Sequence, residues 1–227
     1  VSNLADDEGD FDDEFNDEVT VYDPLESYNR VMTSFNDGIY TYALKPVATG
    51  YAYILPEPVR VGVSNVFQNL FYPIRVTNNL LQGKFQNSAE ETGRFLINST
   101  LGLLGIFDVA KTGLGWEAHK EDFGQTLGFY GVPAGPHLVL PFFGPSNLRD
   151  TLGFVGDTYL SPTTDMSALN YKIPNNATQG FVWTGTYYIN KTSLHLGEYE
   201  NLKKDAIDFY TFLRDFYEAK REEEIKD

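Results

Sequence analysis

The sequence predicts a mainly α, single-domain protein built from amphipathic helices around one Gly/Pro-rich apolar loop, with no sizeable β-sheet. Several long stretches carry apolar residues at alternating three and four spacing, the signature of one buried helix stripe. Residues 123–147 place Gly or Pro every few positions, which leaves no room for a long helix or a regular strand pair. A chain of 227 residues, 42% hydrophobic and 22% charged, is long enough for one filled core and not polar enough for global disorder.

The first helix signal is Asp23-Pro24-Leu25-Glu26. Asp23 suits an N-cap, Pro24 the first helical position, and Glu26 a capping-box partner. Behind it Leu25, Tyr28, Met32, Phe35, Ile39 and Tyr42 form one stripe, which Pro46 is expected to stop. A second helix is expected after Pro56-Glu57-Pro58, divided at Pro73 and ended by Gly83. Ser88 to Glu91 reads as a capping box opening a third, which runs into RFLINSTLGLLGIFDVA, residues 94–110. Beyond Asn98 the glycines at 102 and 105 predict a broken or bent helix. Residues 123–147 read as an ordered apolar loop or hairpin. A short helix is expected around residues 164–169 and a Thr/Tyr-rich piece after Gly180. From Glu198 to about Lys220 the spacing predicts a C-terminal amphipathic helix, fraying into a charged tail at 221–227.

The formal net charge of -15 is concentrated at one end. Residues 1–20 hold nine acids and no base, leaving 23 acids and 17 bases for the body. Residues 1–22 therefore read as an acidic flexible linker, and residues 23–220 as the helical domain. The absence of cysteine excludes disulfides, thiolate metal sites and cysteine nucleophiles within this chain. No basic patch with interleaved aromatics suggests nucleic acid. The chain starts at Val1, which reads as a processed product whose address has been removed.

Chemistry has few candidates. His119, His137 and His195 lack metal-ligand spacing, and His119 with Glu121 and Asp122 is the nearest approach to a cluster. FGPSN does not satisfy the nucleophile-elbow pattern, and no phosphate-cradling glycine motif is present. Arg149-Asp150 reads as an ion pair or helix cap after a loop. No catalytic residue, cofactor or metal is assigned. The stretch 94–110 is too short to span a bilayer, which needs about 20 apolar residues, and too oily to be solvated. On periodicity alone it suits a buried core helix as well as an element lying within one leaflet.

Taken in order, several segments resemble the MlaA (VacJ) family of outer-membrane lipoproteins. These are Asp23-Pro24-Leu25-Glu26, Tyr28-Asn29-Arg30 and Phe35-Asn36; Pro46-Val47-Ala48; Pro58 and Arg60; Ser64-Asn65, Asn69-Leu70, Pro73, Asn79 and Leu81-Gln82-Gly83; Arg94-Phe95, Asn98, Leu101-Gly102, Gly105 and Asp108-Val109-Ala110. The most specific block is Phe123-Gly124, Thr126-Leu127-Gly128, Tyr130-Gly131-Val132, Gly135-Pro136, Leu140-Pro141-Phe142, Gly144 and Leu148-Arg149-Asp150. Tyr210, Arg214 and Tyr217 resemble the family's C-terminal pattern, whereas residues 158–197 do not align.

The resemblance implies a ring-shaped helical protein in the periplasmic leaflet of the outer membrane, associated with trimeric porins. It implies a lipid on an N-terminal cysteine, which is absent from this chain. Phospholipid misplaced in the outer leaflet would pass through an amphipathic channel to the periplasmic carrier MlaC, and through it to an inner-membrane ABC transporter; a porin-associated adaptor without a lipid path is the alternative. Implied channel-lining or membrane-facing residues are Phe35, Asn36, Phe95, Leu101, Leu103, Leu104, Phe107, Tyr130, Gly131, Val132, Leu140 and Phe142. Asp23, Pro24, Glu26, Asn29, Arg30, Asp108, Arg149 and Asp150 are the implied structural motif.

Overall fold

A computed structural model describes residues 21–226; the acidic segment expected to be a linker lies almost wholly outside the described residues. The chain forms helices α1 (Glu26–Ile39), α2 (Lys45–Ile54), α3 (Glu57–Leu70), α4 (Tyr72–Leu81), α5 (Phe85–Thr100), α6 (Val109–Leu114) and α7 (Phe123–Phe129). A hairpin follows, β1 (His137–Leu140) and β2 (Gly144–Asn147), then α8 (Leu148–Leu160), α9 (Ala177–Leu194), α10 (Glu198–Asp205) and α11 (Phe209–Lys226). It is a mainly α single domain. The two strands pair antiparallel, His137 opposite Asn147 and Leu140 opposite Gly144.

Several local expectations give way to tertiary partners. Asp23 does not cap α1: Leu25 stands at the N-cap with no side-chain hydrogen bond. The Asp23 carboxylate instead accepts from Asn29 Nδ2 at 2.8 Å and from the Tyr210 hydroxyl, with Arg214 at 3.6 Å. Glu26 pairs with Arg30 at 2.7 Å. Pro46 does not stop the first helix. One turn of π-helix, Tyr40–Leu44, precedes it, and Lys45 N–H donates to Tyr40 O. The widened turn makes room for a ring that would otherwise meet the carbonyl four residues back. Pro73 does divide α3 from α4, and Gly83 ends α4 at φ +75°.

Ser88 and Glu91 are not a capping box, because α5 begins three residues earlier. Ser88 Oγ donates to Lys84 O at 3.2 Å, and the fully buried Glu91 binds Arg75 at 2.7 Å. After Thr100 the helix breaks as expected. Leu103, Leu104 and Gly105 all take positive φ, and a Cβ on Gly102 would stand 2.2 Å from Phe107 O, so only glycine fits there. Residues 123–147 give a short helix as well as a regular, if brief, strand pair; Gly124 and Gly128 lie in α7, Gly144 and Pro145 in β2, and the other Gly and Pro residues in the connecting loops. No helix forms at 164–169. Thr164 Oγ1 donates to Thr158 O at 2.8 Å and Ser167 Oγ to Tyr159 O at 3.2 Å, local bonds that compete with helical ones. The Thr/Tyr-rich piece is α9. The expected single C-terminal helix is two, parted at residues 206–208, where Asp208 Oδ1 accepts from Tyr210 N at 3.1 Å. Nor does it fray at 221: α11 runs on to Lys226, held by a buried Arg221.

Asn29 and Asn36, two turns apart on α1, serve the free edge of β1. Asn29 Nδ2 donates to His137 O at 3.0 Å while Val139 N donates to Asn29 Oδ1 at 2.8 Å. Asn36 does the same at the tip, donating to Leu140 O at 2.9 Å and accepting from Phe142 N at 2.7 Å. Two amides thus replace a third strand and satisfy edge groups that would otherwise be open.

Helices α7 and α8 cross at glycine. A Cβ on Gly153 would lie 2.3 Å from Gly124 N, and one on Gly124 would lie 2.5 Å from Asp150 Oδ1. Gly153→Ala should therefore force the crossing apart and lower stability by about 2 kcal/mol. Gly185→Ala, in α9 with nothing within 4 Å, should raise it by about 0.5 kcal/mol. Urea unfolding of both variants in the same detergent micelles checks the pair.

Candidate functional site

The side chains are distributed inside out. Among the described residues, five hydrophobic side chains are buried against twenty-five polar or charged ones, so the interior is not an oil-filled core. Large apolar groups lie outside instead: Tyr53 is 92% exposed, Leu104 77% and Phe181 78%. Exposed apolar side chains that are neighbours in one turn, as Leu101, Leu103, Leu104 and Phe107 are, mark a surface suited to an apolar partner. No helix among the described residues is long and apolar enough to cross a membrane.

Three cavities occupy the polar interior. The first, about 690 Å³, is walled by Phe67, Phe71, Ile74, Phe154, Trp183 and Tyr187, with Phe143 reaching in from the turn of the β1–β2 hairpin. Its aromatics meet edge to face, Phe67 with Trp183 at 5.6 Å and with Tyr187 at 5.3 Å. Such pairs prefer this geometry because the positive edge of one ring meets the negative face of the next. The second cavity, about 470 Å³, is polar, bordered by Asn65, Asn69, Arg94, Asn98, Asp108 and Lys191. Gln68, Arg75, Lys120 and Tyr187 line both. The third, about 370 Å³, shares Asp122, Phe143, Phe154, Asp157, Tyr188, Arg221 and Glu224 with the first. The three are contiguous, and together exceed the about 1,000 Å³ upper end of single small-molecule pockets.

Ion pairs fix the walls. Asp108 caps α6 and accepts from Arg94 at 2.9 Å and Asn98 at 2.8 Å. Burial works against its charge, but Asn98 and Arg94 outweigh it and hold the carboxyl below its ordinary range. Arg221 reaches Asp122 with two bonds of 2.9 Å and Asp150 at 3.0 and 3.1 Å. Asp150 also takes Arg149 at 2.9 Å and the Tyr217 hydroxyl at 2.8 Å. Arg149-Asp150 is thus an ion pair within a larger node. Each histidine meets a glutamate: His119 Glu90, His137 Glu218 and His195 Glu198, at 2.8 to 2.9 Å.

Asp157 stands apart, on the wall between the first and third cavities. Phe123 N and Asn78 Nδ2 donate to it at 3.1 Å, yet among the described residues it has no cation in direct contact. Burial, with Asp122 nearby adding, pushes its carboxyl up to about 7.

The residues expected at a lipid path are brought to different places. Leu101, Leu103, Leu104 and Phe107 form an exposed apolar turn between α5 and α6; Tyr130, Val132 and Phe142 are exposed on the loops around the hairpin. Gly131 turns at φ +83°. Phe35 packs edge-on against Phe142 at 5.4 Å, and Phe95 stacks on Tyr72 at 4.5 Å. Of the twelve, Leu140 alone borders a cavity, the third; Asn36 is a hairpin clamp. Of the structural set, Asp108 and Asp150 line the second and third cavities. Sequence reading missed the aromatic wall of α9, although Trp183 and Tyr187 stand at i, i+4 spacing. It also missed Lys120 and Lys191.

The sequence model of the MlaA lipoprotein family matches residues 21–224. The chain belongs to the MlaA lipoprotein family. A protein of Rickettsia typhi is 32% identical over 208 residues, covering 92% of this chain and 80% of the relative. The intermembrane phospholipid transport system lipoprotein MlaA of Escherichia coli is 40% identical over 144 residues, covering 60% of this chain and 56% of that protein. A solved structure described as the structural basis for maintenance of bacterial outer membrane lipid asymmetry is similar with a TM-score of 0.73 and 31% identity. It covers 89% of this chain and 98% of that one. Much of this MlaA-family fold therefore matches over nearly its whole described length.

The raised Asp157 has a stability consequence. Its carboxyl titrates near about 3.9 when unfolded and near 7 when folded, so the folded state holds the proton more tightly. That contribution is complete below pH 4 and is lost as pH rises through 7. Asp157→Asn should therefore raise stability by roughly 1 to 3 kcal/mol at pH 8 and not at pH 4, read from denaturant midpoints at the two pH values.

Proposed function

We propose that this MlaA-family chain is an outer-membrane component of phospholipid transport, passing lipids from the membrane through the three contiguous cavities toward the periplasm. The observation carrying this reading is an aromatic cavity that shares walls with a polar one and with a mixed one, in a domain that carries many large apolar side chains on its exterior. A phospholipid needs apolar walls for its tails and a wet route for its headgroup, since moving that headgroup through hydrocarbon is costly. The transport role borne by the Escherichia coli relative's name and the lipid-asymmetry theme of the similar solved structure support it. Catalysis has no place in this reading.

The exposed turn at residues 101–107, with Leu101, Leu103, Leu104 and Phe107, would sit among lipid tails, and Tyr130, Val132 and Phe142 would do so at the other loops. The helices would then surround the passage as a ring within one leaflet. Trimeric porins, the carrier MlaC and an inner-membrane ABC transporter are the proposed partners, and a lipidated N-terminal cysteine, absent from this chain, the proposed anchor.

Gly180 lines the first cavity, and a Cβ there has ordinary clearance, 3.8 Å to its nearest neighbour. Gly180→Trp should fill that space without unfolding the domain. In cells relying on this chain, it should raise outer-leaflet phospholipid toward the level of a deletion. A photo-crosslinker at Trp183 should capture phospholipid, which the same group at Tyr53 on the outer surface in lipid-free micelles should not. Full complementation by Gly180→Trp together with no capture at Trp183, while porin still copurifies, would favour the adaptor role.

A further inference from the structure

Cations around the second cavity are matched one by one, with two exceptions. Its border carries Arg75, Arg94, Lys111, Lys120 and Lys191 against only two carboxylates, Asp108 and Glu117. Arg75 is held by Glu91 at 2.7 Å, Arg94 by Asp108 at 2.9 Å and Lys111 by Glu117 at 3.0 Å. Lys120 and Lys191 border the cavity without a carboxylate partner among the described residues.

Their position is specific. Lys120 lines both the aromatic and the polar cavity. Lys191 lines the polar one, its Nζ 6.0 Å from the ring of Tyr187, which borders both. Burial, with Lys220 and Lys120 adding repulsion, holds the Lys191 ammonium below its ordinary range. Two like charges on one cavity border, both still reached by solvent, favour an anion between them. The anion that fits has its charge at the boundary and apolar chains beside Phe67, Phe71 and Trp183.

We propose that Lys120 and Lys191 form a phosphate-binding pair that makes the passage prefer phospholipids of net negative charge over zwitterionic ones; this rests on the lipid-passage reading. A phosphodiester without a neighbouring cation neutralises one lysine and screens the other. A zwitterionic headgroup brings a further ammonium into a site that already holds two unmatched ones, and the like-charge contact costs affinity.

The test is binding of fluorescent phosphatidylglycerol and phosphatidylethanolamine to the full chain in non-ionic detergent, with inorganic phosphate as competitor. The native chain should bind phosphatidylglycerol about tenfold more tightly. Lys120→Gln with Lys191→Gln should abolish that ratio by weakening phosphatidylglycerol binding, with native-like far-UV circular dichroism and urea midpoint showing the variant is folded. Lys120→Arg with Lys191→Arg should keep the preference. Equal binding of the two lipids by the native chain overturns the inference and leaves the lipid passage standing, as does a preference that survives the double Gln variant. Displacement of phosphatidylglycerol by equimolar inorganic phosphate assigns the pair to free phosphate and overturns it too. Binding of neither lipid overturns the passage and the preference together.

Discussion

The guanidinium of Arg221 holds together three helices whose buried residues, Tyr210 apart, are polar or glycine. From α11 it binds Asp122 at the start of α7 and Asp150 at the start of α8. Burial alone would weaken its charge, but the two aspartates outweigh that and secure the proton. The Gly124–Gly153 contact brings the two helices close enough for one side chain to reach both. Every wall shared by the first and third cavities is carried by these helices, by α9 or by the hairpin. A buried ion pair is a weak source of net stability but fixes geometry, because breaking it leaves an unmatched charge.

The same logic runs through the interior. Glu121 joins Lys84 at 2.7 Å and Gln82 at 2.7 Å, while Asn78 takes Thr126 and Asp157. Hydrogen-bonded side chains occupy places that Leu or Ile would fill in a soluble domain. The apolar residues that composition supplies go outward. That inversion leaves large apolar side chains on the exterior and hydrogen-bonded polar ones inside. Lys120, Lys191 and Asp157 are left without an oppositely charged partner in direct contact among the described residues.

Helix positions were largely legible because backbone rules are local. Pro73 and Gly83 end helices where they should, and Gly102 and Gly105 break the oily stretch 94–110. Its exposed turn lies outside the packed body, so of the two readings the buried core helix is the one that fails for residues 101–107. Local signals misled where a distant partner was stronger. Asp23 left the α1 cap for Asn29 and Tyr210, and Glu91 left Ser88 for Arg75. The tail at 221–226 read as solvated because four consecutive charges look so, yet the first is buried against two aspartates some seventy to a hundred residues away.

The sequence by itself determined the helical class, the positions of most breaks and the family, since these rest on spacing, backbone conformation and ordered motifs. Only the tertiary structure decided where the interior lies. Periodicity marks the apolar face of a helix but not whether that face meets protein or lipid. The walls of the first cavity come from α3, α4, α8, α9 and α11, the hairpin turn and the residues around the start of α7, segments far apart in the chain. No local pattern reveals that Lys120 and Lys191, seventy-one positions apart, border the same space.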